Sequence, residues 1–89
     1  MIVEFDKSFF KSLSKIKNNS LLNKIKEVVI EIEESKNLKT IRNVKKLYGY
    51  KNYYRVRIGD YRLGFETIYT NTVRLIIIKH RKEIYKQFP

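Results

Sequence analysis

The chain opens on a short apolar run, Ile2-Val3-Glu4-Phe5, which predicts a first strand. Asp6 then stands where a helix N-cap belongs, its carboxylate free to accept the unpaired N–H groups of the next turn. Phe9, Phe10, Leu13 and Ile16 follow at helical spacing. After the turn residues Asn18-Asn19, Ser20 is placed to cap a second helix, in which Leu21, Leu22, Ile25, Val28, Val29 and Ile32 recur every three or four residues. The result is a helical hairpin with one apolar face. Its polar face mixes signs, with Lys24 and Lys26 among Glu27, Glu31, Glu33 and Glu34, so this half reads as scaffold.

The pattern loosens from Lys36 to Asn52. Leu38, Ile41, Val44 and Leu47 are expected to tack this basic connector onto the core, while Lys39, Arg42, Lys45, Lys46 and Lys51 stay in water. Tyr53 to Phe65 alternates with period two on either side of Gly59-Asp60, the pattern of a β-hairpin with a two-residue turn. Val73 to Lys79 is apolar and β-branched enough for a central strand, reached through Thr70-Asn71-Thr72. Arg81 to Phe88, with Ile84 and Phe88 four apart, predicts a last turn or two of helix. The order β-α-α-β-β-β-α gives an α+β fold: a helical hairpin packed on one face of a mainly antiparallel four-stranded sheet.

The hairpin carries the candidate chemistry. With Gly59-Asp60 as the turn, Ile58 faces Tyr61, Arg57 faces Arg62, Val56 faces Leu63, Arg55 faces Gly64 and Tyr54 faces Phe65. One face then holds Tyr54, Val56, Ile58, Tyr61, Leu63 and Phe65, and must pack on the helices. The other holds Arg55, Arg57, Arg62 and Gly64. Like charges directly opposite destabilise an antiparallel pair, and a bound anion is the simplest compensation, since guanidinium forks match phosphate oxygens two at a time. The plainer alternative is a solvated face with the arginines splayed apart. Gly64, lacking a side chain, is expected to leave room for a ligand beside Arg55.

Composition sharpens this. The 89 residues hold 20 Lys+Arg against 9 Asp+Glu, a net charge of +11, and 43% of them are apolar, enough for one core in one domain spanning 1–89. The positive field is concentrated in the middle: residues 36 to 62 carry 9 basic side chains and 1 acidic one, whereas residues 1 to 35 carry 6 of each. A nucleic acid or another phosphate-bearing partner is implied. With no Cys and 1 His, a disulfide framework, a thiol nucleophile and a Cys-based zinc site are excluded, and no metal or cofactor is expected. The N-terminus lacks the layout of a signal peptide and the longest aliphatic stretch, Leu75 to Ile78, is far short of a membrane span, so a cytoplasmic protein without membrane contact is the expectation.

Two further groups flank the arginines. Tyr48, Tyr50 and Tyr53 can stack bases or pack at the edge of the core. His80 ends the last strand, and its face depends on the preceding turn. A three-residue loop at Thr70-Asn71-Thr72 puts it opposite Arg62; a two-residue loop does not.

The stretch Tyr54-Arg55-Val56-Arg57-Ile58-Gly59-Asp60-Tyr61-Arg62-Leu63-Gly64-Phe65, followed by a strand and His80-Arg81-Lys82-Glu83-Ile84-Tyr85, resembles the RelE/ParE superfamily of type II toxins. The resemblance spans nearly the whole chain and is most specific in that hairpin and in the H-R-x-x-x-Y ending. RelE-type members cut mRNA in the ribosomal A site and are silenced by an antitoxin; ParE-type members inhibit DNA gyrase. By resemblance Arg55, Arg57, Arg62, Arg81 and Tyr85 fall on family positions; together with the residues read from the chain itself, the catalytic candidates are Arg57, Arg62, His80, Arg81 and Tyr85, and the RNA-binding ones Arg55, Lys45, Lys46, Lys51 and Tyr53. Arg57 and Arg62 would hold the phosphate, Arg55 and Arg81 orient it, and His80 and Tyr85 transfer protons or stack on bases. The implied partners are a cognate acidic antitoxin, the ribosome and mRNA. One departure matters: RelE proper has a lysine with a base-like role where this chain has Arg57, which does not readily lose a proton. A gyrase inhibitor and a non-catalytic basic RNA-binding module therefore stand as alternatives.

Overall fold

The computed structural model describes residues 1–89. Strand β1 (Ile2–Phe5) leads into α1 (Lys7–Leu13), capped by Asp6, whose side chain accepts the Ser8 N–H at 3.0 Å. Helix α2 (Asn19–Glu34) starts two residues earlier than expected: Asn18, not Ser20, is the cap, its side chain accepting the Leu21 N–H at 3.0 Å. A single 3-10 turn (Leu38–Thr40) follows, then β2 (Val44–Lys46), β3 (Tyr53–Ile58), β4 (Tyr61–Tyr69), β5 (Thr72–His80) and α3 (Arg81–Gln87).

The sheet has five strands rather than four, in the order β1-β5-β4-β3-β2. The added strand is β2, antiparallel to β3 with Lys45 beside Arg55; β1 runs parallel to β5 and every other pairing is antiparallel. The α+β class holds. The hairpin register is the one the two-residue turn requires, with Arg57 opposite Arg62 and Arg55 opposite Gly64. Gly59 has φ +59°, the left-handed conformation such turns demand. No helix is long and apolar enough to cross a membrane.

Each face of the sheet has its own core. On the first face Phe9, Ile16, Ile25 and Ile32 of the helical half meet Val56, Ile58, Leu63, Phe65, Val73, Leu75 and Ile78. Each such side chain contributes roughly 1.5–3 kcal/mol when fully buried. On the second face a smaller cluster joins Ile77, Ile84 and Phe88, flanked by Leu47, Tyr53 and Ile76. Helix α3 thus lies on the face opposite the helical hairpin. It shares that face with the arginines.

Strand β5 serves both cores through its alternating side chains, and its ladder with β4 is irregular. Gly64 pairs with Ile77 but Phe65 pairs with Leu75, which leaves Ile76 as an extra residue in a bulge; a second irregularity, between Thr67 and Tyr69, falls at Ile68 of β4.

Candidate functional site

Pairs in register share a face, so the second face can be read rung by rung. Arg57, Arg62 and Lys79 lie side by side on one rung; Lys45, Arg55, Gly64 and Ile77 form the next. The arginines do not splay into separate environments. Arg55, Arg57 and Arg62 line one cleft of about 420 Å³ together with Lys45, Val44, Asn43 and Tyr85.

Each arginine is held in place. Arg62 Nη1 donates to the carbonyl oxygens of Gly59 and Tyr61, both at 2.9 Å, which leaves the rest of its fork for an anion. Arg57 Nη2 reaches Asn43 Oδ1 at 3.5 Å, and its backbone N–H donates to Asn43 O at 3.2 Å. The Arg55 guanidinium lies 4.8 Å from the centre of the Tyr85 ring, a cation–π contact. The cleft therefore presents cations and a phenol, with no carboxylate among its lining residues. Such an arrangement binds an anion with several oxygens and stabilises negative charge that grows on it.

The remaining sequence candidates distribute differently. His80 pairs with Tyr61, not Arg62, because the turn from β4 to β5 spans only Thr70 and Asn71 and the two irregularities, one in each strand, cancel. Its ring packs edge-on against Tyr61, 5.5 Å between centres, on the face away from the arginines, and Nδ1 accepts the Lys82 N–H at 3.2 Å as the N-cap of α3. Arg81 opens α3 and is tied to the hairpin turn, its N–H donating to Asp60 O at 2.8 Å and Nε lying 3.9 Å from Asp60 Oδ1. Lys45 joins the cleft; Lys46 pairs with Tyr54 and so turns to the first face, and Lys51 lies in the loop before β3. Tyr53 packs on Phe88 at 5.4 Å, an edge-of-core role. Gly64 leaves no ligand space: the Phe88 ring fills it, and a Cβ there would meet Cδ2 at 2.7 Å.

Two contributors escaped the sequence reading. Asn43 shapes the cleft through its left-handed backbone, φ 62°, a conformation that asparagine accepts more readily than most residues. Lys79 completes the arginine rung, and only the β4–β5 register reveals it. A larger hollow of about 980 Å³ opens beside Met1, Leu38, Tyr54 and Tyr69. It gathers none of the arginines.

Comparison with known proteins agrees with this geometry. Residues 3–85 match the family model described as ParE toxin of type II toxin-antitoxin system, parDE. Toxin RelE3 of Methanocaldococcus jannaschii is 38% identical over 90 residues, covering 100% of both chains. The RelB-RelE antitoxin-toxin complex from Methanococcus jannaschii superimposes with a TM-score of 0.80 at 36% identity, over 97% of this chain and 99% of that one. The archaeal RelE-RelB complex from Pyrococcus horikoshii, at 23% identity, shares the fold with a TM-score of 0.72 over 90% of this chain and 93% of that one. The chain belongs to the RelE/ParE superfamily and is a RelE-like toxin of a type II toxin-antitoxin system.

Proposed function

We propose that this toxin is a ribosome-dependent mRNA endoribonuclease that works without metal in the cytoplasm, halts translation, and is silenced by a cognate acidic antitoxin. The cleft carries this reading: Arg57 and Arg62 stand opposite each other on one rung, with Arg55, Lys45 and Tyr85 around them. The partner follows from the relatives solved as RelB-RelE complexes and from the +11 charge.

RNA cleavage of this kind is a transesterification. The 2′-oxygen bonds to the neighbouring phosphorus, the bond to the 5′-oxygen breaks, and a cyclic phosphate and a free 5′-hydroxyl result. One proton leaves the 2′-OH and one reaches the departing oxygen. Arg57 and Arg62 suit the growing charge on the phosphate. The Tyr85 phenol, steadied by Arg55, suits the leaving-group proton or a stacked base. In this reading His80 and Arg81 act indirectly, by seating α3. No carboxylate or imidazole lines the cleft, so removal of the 2′ proton falls to the RNA or the ribosome.

That missing base also favours a second reading, inhibition of DNA gyrase in the manner of ParE-type members. Primer extension on mRNA from a translating system, run beside a gyrase supercoiling assay, separates the two. Cut mRNA with active gyrase supports the nuclease; intact mRNA with inhibited gyrase assigns the gyrase activity. Neither effect leaves a non-catalytic RNA-binding module. Adding the product of the neighbouring gene is expected to silence the toxin in a salt-sensitive complex.

A further inference from the structure

The second face carries its charge unevenly. Its first two rungs hold Arg57, Arg62, Lys79, Lys45 and Arg55 without a carboxylate, but the next rung aligns Tyr53, Glu66, Arg74 and Glu4. Arg74 is shared there between Glu4 at 3.4 Å and Glu66 at 3.5 Å. The β1 corner of this face is therefore closed to a polyanion. A strand leaving the cleft is steered instead toward β2 and the loop that follows it.

That loop has an unusual surface. Tyr50 N–H donates to Leu47 O at 3.3 Å across a tight turn in which Gly49 takes φ +84°, the positive value such a turn requires at its third position. Leu47 turns inward to the second core. Tyr48 is left at the tip, 101% exposed, and Tyr50 is 47% exposed with its ring edge-on to Tyr53 at 5.6 Å. Lys51 and, from the end of β2, Lys46 line an open hollow of about 480 Å³ with the two rings; Lys46 pairs with Tyr54 and so reaches it from the first face. The Tyr48 ring, fully exposed, adds nothing to this fold, and together with the half-exposed Tyr50 ring and two ammonium groups it offers what an unpaired base and its phosphates need.

We propose that the loop from Leu47 to Asn52 is a stacking platform for unpaired bases of single-stranded RNA, adjoining the arginine cleft along β2, whose Lys45 lines the cleft and whose Lys46 lines the loop's hollow. It rests on the nucleic-acid reading above and lengthens the occupied track. From Arg57 back to Tyr53 is four strand residues, about 13 Å.

The test is fluorescence anisotropy with a labelled RNA trinucleotide, long enough for the cleft alone, and an unpaired RNA nonamer. The wild type is expected to bind the nonamer more tightly. Tyr48→Ala should weaken nonamer binding about 10-fold or more and leave the trinucleotide unchanged, while Tyr48→Trp restores it. Lys46→Ala with Lys51→Ala should lower the slope of log affinity against log salt by about 1.4, at about 0.7 per phosphate for single strands. Tyr48 is fully exposed, so its replacement leaves the fold intact. A Tyr48→Ala protein that binds the nonamer like wild type overturns the platform and leaves the cleft reading standing. A wild type that binds neither RNA overturns the platform, and the nuclease reading is then decided by primer extension in the translating system. Loss of antitoxin affinity with RNA affinity unchanged assigns the loop to a protein contact and overturns the platform as well.

Discussion

The Phe88 ring rests on the bare backbone of Gly64, so close that a Cβ at position 64 would stand 2.7 Å from Cδ2 and 2.9 Å from Cγ. Position 64 is reserved for glycine by packing, not by an unusual dihedral angle. The same contact seats α3, and α3 carries Tyr85 over Arg55. A packing detail on the sheet thus sets one wall of the cleft.

Gly64→Ala should therefore destabilise the protein by about 1–3 kcal/mol, the usual range for overpacking a core. Phe88→Ala should lose about 3–5 kcal/mol. Because the two residues touch, the double variant should lose less than the sum of the singles. Urea unfolding of the four proteins checks this; strict additivity would mean that Phe88 is not what excludes a side chain at 64.

The opposed arginines imply a conflict between stability and activity. Arg57→Thr removes a like-charge pair from the sheet and places a good strand former there, so stability should rise by about 0.2–1 kcal/mol. The rise should shrink with added salt, which already screens the wild type. Cleavage should meanwhile fall about 10²- to 10³-fold, as when any charge-stabilising donor is lost. Thermal melts at two salt concentrations and primer extension are the paired measurements.

His80 and Arg62 should respond differently to conservative replacement. His80→Ala removes the acceptor for Lys82 N–H and should loosen α3 by about 1 kcal/mol. His80→Asn supplies another capping oxygen and should recover both stability and cleavage, whereas no cap-forming residue rescues Arg62→Ala. An inactive but well-folded His80→Asn protein would show that the imidazole itself handles a proton.

Asp6 gives the fold an acid-sensitive corner. Its carboxylate accepts first from the Ser8 hydroxyl and then from the Ser8 N–H, which together hold its pKa below the ordinary 3.8. A pKa lowered by folding means stabilisation that is present at neutral pH and lost as the pH falls from 3.8 through the folded value. Asp6→Ala should melt below wild type at pH 7, and the two curves should merge well below pH 3.8. A gap that persists in acid would place the effect outside the carboxylate.

The legible parts of the sequence were those where one local rule leaves a single solution. A two-residue turn at Gly59-Asp60 fixes parity along the whole hairpin, so the facing of Arg57 and Arg62 followed from counting. Strand β2 was not visible because Val44-Lys45-Lys46 is short and polar, and becomes a strand only when β3 lies beside it. Gly64 was misread, and Tyr53 was left between stacking and edge-of-core packing, for one reason: Ile84 and Phe88 announce a helix but not the face it covers. Once α3 lies on the second face, Gly64 is occupied and Tyr53 becomes its border.

The bulge at Ile76 makes β5 two short strands spliced end to end with one residue to spare. Leu75 and Ile77 keep their own partners, Phe65 and Gly64, on either side of it. Removing Ile76 would join those two ladders into a regular one without turning any other side chain over. Length variation among related chains should therefore concentrate at this point and at Ile68, while the hairpin from Arg55 to Gly64, which has no such slack, keeps its spacing. A register error there would carry the arginines into the apolar core, so the tolerance for insertion and the intolerance for it lie within one sheet, a few rungs apart.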